Sequence, residues 1–164
     1  MDPVRKAEPS DADRIFQLIE EAKSFFRMNR INMWQWGYPR LSDITDDISS
    51  GNAYVFDDGK VEGYVFVTFG EEEFHSTLQG EWTDDDPAVF HRLVVDADAK
   101  KKGIGTLLIR CAEDAAGKQG CRSIRTETDE TNIPMRRLLG KMGYSERGTL
   151  IFDGRDKLGY EKLL

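Results

Sequence analysis

Between an apolar run ending at Val95 and a helical pattern opening near Gly103 lies Lys100-Lys101-Lys102-Gly103-Ile104-Gly105-Thr106. Glycines at such a place let the backbone come close to a ligand, and the first turn of the following helix offers unpaired N–H groups and the positive end of its dipole. That combination binds anions. The lysines add point charges suited to phosphate, and they reverse the local sign in a chain whose formal net charge is −7. Spacing excludes two common owners of glycine loops. A dinucleotide fingerprint needs a third glycine where Leu108 stands, and a Walker loop needs its lysine after the glycines. The remaining chemistry is a grip for the pyrophosphate of a large cofactor.

A strand must deliver this loop and a helix must receive it. Phe90 to Val95 is the strand, and Gly103 to Lys118 is the helix, with Ile104, Leu107, Leu108, Cys111, Ala112 and Ala115 on one face and Gly120 as its end. Upstream, Val4 to Ala7 reads as a short strand, and Ser10 to Asp13 as a capping box opening a helix that ends near Met28. Asn29 to Leu41, with Trp34, Trp36, Tyr38 and Pro39, reads as an irregular loop; Ser42 caps a second helix closed by Gly51. Asn52 to Phe56 and Val61 to Phe69 form a hairpin around Asp58-Gly59, and Glu71 to Asp86 is a polar connection holding Trp82. Ser123 to Thr128 is a strand, Asn132 to Met142 a short helix, and Tyr144 to Phe152 with Leu158 to Leu163 a closing pair of strands. This order predicts one three-layer α/β domain over residues 1–164 with a central mixed sheet.

At 164 residues with 39% hydrophobic and 32% charged side chains, the chain can bury its own core. The acidic balance argues against nucleic acid and anionic membrane partners and favours cationic substrates. The two cysteines, Cys111 and Cys121, lack zinc-ligand spacing, so no metal site is expected, and both read as buried thiols. With no apolar run near the roughly 18 residues of a membrane span, and no signal-like N-terminal segment, a cytoplasmic location is expected.

Lys100-x-x-Gly103-x-Gly105 resembles the Gln/Arg-x-x-Gly-x-Gly/Ala signature of the GNAT superfamily of N-acetyltransferases, with Lys for Gln or Arg. In the same order and distance, Asn132-Ile133-Pro134-Met135-Arg136-Arg137-Leu138-Leu139-Gly140-Lys141-Met142-Gly143-Tyr144 is similar to that family's Asn-x-x-Ala-x-x-Leu-Tyr-x-Lys-x-Gly-Phe segment, and Tyr160 to Leu163 to its closing strand. The resemblance implies an α/β (α+β) fold with a mixed, mostly antiparallel central sheet, helices on both faces and a splayed parallel strand pair. It also implies acetyl transfer from acetyl-CoA to a primary amine of a small molecule or peptide, by direct attack on the thioester, and allows a homodimer.

By that resemblance Leu93, Val94 and Val95 hold the pantetheine, Lys100, Lys101, Lys102, Gly103, Ile104, Gly105 and Thr106 hold the pyrophosphate, and Asn132 and Met135 stand on the opposite wall. The amine must lose a proton, so a base is needed. His91 is the candidate on the strand itself, with Glu127 and Glu81 as rivals. Leu139 occupies the place where many relatives carry the tyrosine that protonates the thiolate, which leaves Tyr144, Tyr160 or solvent for that task. Trp34, Trp36, Tyr38 and Arg40 are the candidate acceptor pocket, the aromatic faces for a cation and Arg40 for a carboxylate; the tryptophans equally suit a small core over the sheet. A CoA-binding module without turnover stays open as the alternative.

Overall fold

The computed structural model describes residues 3–164, without the side chains of Lys100 and Lys101. Eight strands form one sheet: β1 (Val4–Lys6), β2 (Ala53–Asp57), β3 (Val61–Phe69), β4 (Gln79–Gly80), β5 (Pro87–Val95), β6 (Ser123–Thr128), β7 (Ser145–Phe152) and β8 (Arg155–Leu163). Their order across the sheet is β1-β2-β3-β5-β6-β8-β7-β4, and every neighbouring pair is antiparallel except β5 and β6. Four α-helices cover it: α1 (Ala12–Met28), α2 (Leu41–Ser50), α3 (Ile104–Lys118) and α4 (Ile133–Lys141).

The helices divide between two faces because the strands alternate their side chains. Ile15, Leu18 and Ile19 of α1 and Ile44 and Ile48 of α2 pack on Val55, Val61 and Tyr64. On the other face Ile104, Leu108, Ile109 and Ala112 of α3 join Phe56, Val65, Val67 and Phe90. Gly63 sets how closely α3 lies on the sheet: a Cβ there would stand 2.7 Å from Ile104 Cγ2 and 2.8 Å from Leu108 Cδ1.

The parallel pair is short. Pro87, Ala88 and Val89 align with Ser123, Ile124 and Arg125, and no ladder follows. Two features part the strands. Arg92 and Leu93 form a bulge on β5 opposite Val65 of β3, with Arg92 at φ 55°, and a bulge bends and twists its strand. Past the last ladder pair the Thr126 hydroxyl donates to the Phe90 carbonyl at 3.0 Å, a side chain replacing a strand bond.

Most predicted elements stand within a residue or two, and the departures have local causes. Strand β5 begins at Pro87, three residues before the expected start, because a proline costs no ladder bond at a strand's first position. The polar connection Glu71 to Asp86 holds a 3-10 turn over Glu73–Thr77 and the short β4, which crosses β7 at Gly80 and Gly148. Neither expected cap forms as read. A 3-10 turn over Pro9–Asp11 precedes α1, with the Asp11 carboxylate accepting from the Glu8 N–H at 2.8 Å, and α2 begins at Leu41, one residue before Ser42, where Asp43 accepts from the Arg40 N–H at 2.7 Å.

Candidate active site

Where β5 and β6 diverge, two cavities open and meet. The larger, about 500 Å3, lies within the size range of cofactor clefts (roughly 300–1,000 Å3) and is lined by Leu93, Val94, Val95, Gly103, Gly105, Thr106, Pro134, Leu138 and Lys141, with α1 residues Leu18 to Phe26 as one wall. The smaller, about 90 Å3, is lined by Trp34, Trp36, Tyr38, His91, Arg92, Glu127, Phe152, Arg155 and Lys157. Phe26, Leu93, Asn132 and Met135 line both, so they mark the junction.

At one end of the cleft Gly103 caps α3 in the left-handed region at φ 73°, and among the described residues no side chain caps that helix. The first-turn N–H groups are therefore available to an anion. Gly105 gives the approach: a Cβ there would stand 3.2 Å from Leu138 Cδ2 and 3.9 Å from Val95 Cγ2, narrowing the passage between β5 and α4. Asn132 is built in as the N-cap of α4, its Oδ1 accepting from the Met135 N–H at 3.4 Å and its Nδ2 donating to Thr128 Oγ1 at 3.1 Å. Ile104 points into the core and can offer only backbone. Lys102 is exposed, its Nζ 3.6 Å from Glu62 Oε2. The expectations for the Lys100 and Lys101 side chains lie outside the described residues. Lys141, which the sequence reading did not single out, supplies a cation to the cleft.

The small chamber holds a run of charges across the sheet. Glu72 Oε1 lies 2.6 Å from His91 Nε2 and also accepts from the Thr68 hydroxyl at 2.6 Å; His91 Nδ1 lies 3.7 Å from Glu127 Oε1, an ionic rather than hydrogen-bonded separation. Burial works against a charged imidazole, but the flanking Glu127 and Glu72 outweigh it and push the His91 pKa up to about 9. Burial likewise opposes the charge on Glu72, yet the imidazolium and Thr68 bring its pKa down to about 2. Glu127 Oε2 is buried without a hydrogen-bond partner among the described residues. At neutral pH this places one uncommitted carboxylate oxygen among aromatic walls, beside an imidazole that already carries its proton.

Around it Arg92 and Lys157 are paired. Arg92 clasps Asp47 through Nε at 2.7 Å and Nη2 at 2.5 Å and also donates to the Tyr38 hydroxyl, its guanidinium carbon 5.0 Å from the Phe66 ring centre. Burial pushes the Tyr38 pKa up to about 12. Lys157 donates to Asp129 at 3.0 Å and to the Asn32 carbonyl at 2.7 Å; with the Asn32 N–H donating to Thr131 at 2.9 Å, this ties the 29–40 loop over the chamber. Trp34 packs edge-on against Phe26 at 5.4 Å between ring centres, and the Arg155 guanidinium lies 3.4 Å from the Trp36 ring centre.

Several expectations need correction. Arg40 is exposed and faces a separate surface groove beyond Trp34, outside the chamber, because its backbone begins α2. Tyr144 lines neither cavity: its ring packs on Phe90 and its hydroxyl donates to Glu113 of α3 at 3.0 Å. Tyr160 is buried, its hydroxyl accepting from Arg136 Nε at 3.2 Å. Glu81 is exposed and also lines neither cavity. Trp34, Trp36 and Tyr38 do face the chamber, as do His91 and Glu127. Glu72 was hidden in an acidic run that reads as a solvated loop; only its long-range pairing with His91 reveals it. Phe152 and Arg155 come from the closing hairpin, where nothing local marks them.

Residues 13–144 match the acetyltransferase (GNAT) family. Among solved structures, an acetyltransferase of the GNAT family from Streptococcus agalactiae 2603 is 30% identical, covering 98% of this chain and 94% of its own, with a TM-score of 0.87. A structure described as an acetyltransferase from Staphylococcus aureus Mu50 is 25% identical over 98% of this chain and 97% of its own, at a TM-score of 0.74. A ribosomal-protein-alanine N-acetyltransferase from Brucella melitensis, 19% identical over 98% of this chain and 99% of its own, shares the fold at a TM-score of 0.73. With a match across most of its length, a splayed parallel strand pair and a glycine-led helix lining the resulting cleft, the chain belongs to the GNAT family of acetyltransferases.

Proposed function

We propose that the protein transfers an acetyl group from acetyl-CoA to a primary amine, with Glu127 as the proton acceptor. The observation that carries this reading is the buried Glu127 Oε2, the chamber carboxylate oxygen left without a partner among the described residues, in the acceptor cavity that joins the cofactor cleft at Phe26, Leu93, Asn132 and Met135. Acetyl-CoA supplies the acyl group as an activated thioester. The cleft suits it: free N–H groups at the start of α3 meet the pyrophosphate, Gly105 leaves room beside Leu138, and the edge of β5 beyond Val89 has backbone groups without a ladder. Donors there, aimed at a carbonyl oxygen, stabilise the negative charge that develops on it during attack.

An acceptor enters the chamber as an ammonium, is held by Glu127 and the aromatic faces, and gives its proton to Glu127. His91 keeps Glu127 oriented and is a positioning residue, because an imidazole with a pKa pushed up to about 9 holds its proton at neutral pH. Trp34, Trp36 and Tyr38 form the acceptor walls. The second reading, CoA binding without turnover, is favoured by a specific observation: Leu139 is buried where a tyrosine would stand, and the hydroxyls of Tyr144 and Tyr160 are engaged outside the cavities. Release of free CoA thiol across a panel of primary amines tests the proposal. Turnover of any amine supports transfer, and tight acetyl-CoA binding with no thiol release from any of them refutes it.

A further inference from the structure

Beyond the amine itself, one guanidinium of the acceptor chamber is left with an open Nε–Nη2 edge. Arg92 spends Nε and Nη2 on Asp47 and Nη1 on Tyr38, and Lys157 is bound to Asp129 and the Asn32 carbonyl. Arg155, at the start of β8, spends only Nη1, on the Asp153 carbonyl at 2.9 Å; its Nε and Nη2 donate to no described residue. Its guanidinium carbon stacks over Trp36, 3.4 Å from the ring centre, and the Asp153 carboxylate is a loose neighbour at 3.8 Å with its side chain 61% exposed. A planar fork fixed by stacking loses little freedom when it binds a carboxylate through paired N–H groups.

The chamber thus has an unpaired carboxylate oxygen on Glu127 and an unspent guanidinium edge on Arg155, in about 90 Å3. Building on the amine acetylation proposed above, we propose that the acceptor is a small zwitterion: a primary amine received by Glu127 whose carboxylate binds Arg155, which makes Arg155 a specificity-determining residue. Diamines fit poorly, because their second ammonium meets the guanidinium.

The test separates recognition from chemistry. Binding of glycine, β-alanine and γ-aminobutyrate, of their primary amides, and of putrescine to the CoA-loaded protein is measured by calorimetry, with acetyl-CoA turnover followed in parallel. At least one of the three amino acids is expected to bind ~10-fold or more tightly than its amide and than putrescine, as a charge-assisted fork predicts. Arg155→Gln should erase that difference while leaving amide binding and CoA binding unchanged, and Arg155→Lys should restore part of it. Equal binding of acid and amide, tighter binding of putrescine, an unaltered preference in Arg155→Gln, or no binding by any of them overturns the proposal. Discrimination in binding without turnover leaves it standing and removes the transfer reaction instead; turnover without discrimination does the reverse.

Discussion

His91 carries an unusual charge state that can be worked through to a number. Its folded pKa of about 9 against an ordinary 6.5 means that the native state holds the proton more tightly than the unfolded chain. The sign follows: the stabilisation is fully present below pH 6.5, declines as pH rises, and is gone above 9. The difference of about 2.5 pH units corresponds to about 3 kcal/mol, at about 1.4 kcal/mol per unit. The depressed Glu72 pKa reports the same contact from the other side and is not added to it. His91→Gln removes the titrating group while keeping a polar side chain of similar size. In chemical denaturation at pH 6 and pH 10, the stability advantage of the native protein over the variant should shrink by about 3 kcal/mol. The chain has two histidines, which permits a direct reading by nuclear magnetic resonance. Burial and the neighbouring Arg125 push His75 down to about 4, so neither ring should titrate near 6.5. An imidazole that titrates between roughly 6 and 7 and disappears in His91→Gln would refute the reasoning, as would a stability advantage that grows with pH.

Three further outcomes follow from the geometry. Glu127→Gln should lower kcat/KM for amine acetylation by roughly 10²- to 10⁴-fold, the range for loss of a general base, while acetyl-CoA affinity measured by calorimetry stays constant. Gly105→Leu should weaken CoA binding by ~10-fold or more with a change in unfolding free energy within about 1 kcal/mol, since the added helix propensity offsets the tight contact with the flexible Leu138; normal CoA affinity would show that the loop is only a connection. Asp47→Ala leaves Arg92 buried without its carboxylate and should cost about 3–5 kcal/mol by thermal or chemical melts, far more than an exposed pair would.

The local elements that frame the candidate site are legible in the sequence. Lys100 to Thr106 announces an anion loop because glycine placement and helix onset are local properties, and Asn132 to Met142 announces a capped helix for the same reason. The aromatic cluster Trp34-x-Trp36-x-Tyr38 lines the small chamber, since few backbones accommodate so many large rings except against a cavity or a core. The errors at Arg40 and Tyr144 share one cause: the residue was in the right segment, but its direction is set by packing. Arg40 begins a helix and turns outward; Tyr144 follows α4 and drops onto the α3 face of the sheet.

Local pattern determined most of the strands and helices and that an uncapped, glycine-led helix start lies at the head of α3. Tertiary structure alone decided the charge states of the chamber. His91 and Glu127 lie on neighbouring strands and Glu72 on the connection after β3, so the sandwich of one imidazole by two carboxylates exists only once the sheet is assembled. The same assembly pairs Arg92 with Asp47 across 45 positions of sequence and Lys157 with Asp129 across 28, and by doing so leaves Glu127 and Arg155 with free hydrogen-bonding atoms. Pairing energies of buried charges depend on separation and burial, and neither is encoded in the spacing of residues along the chain.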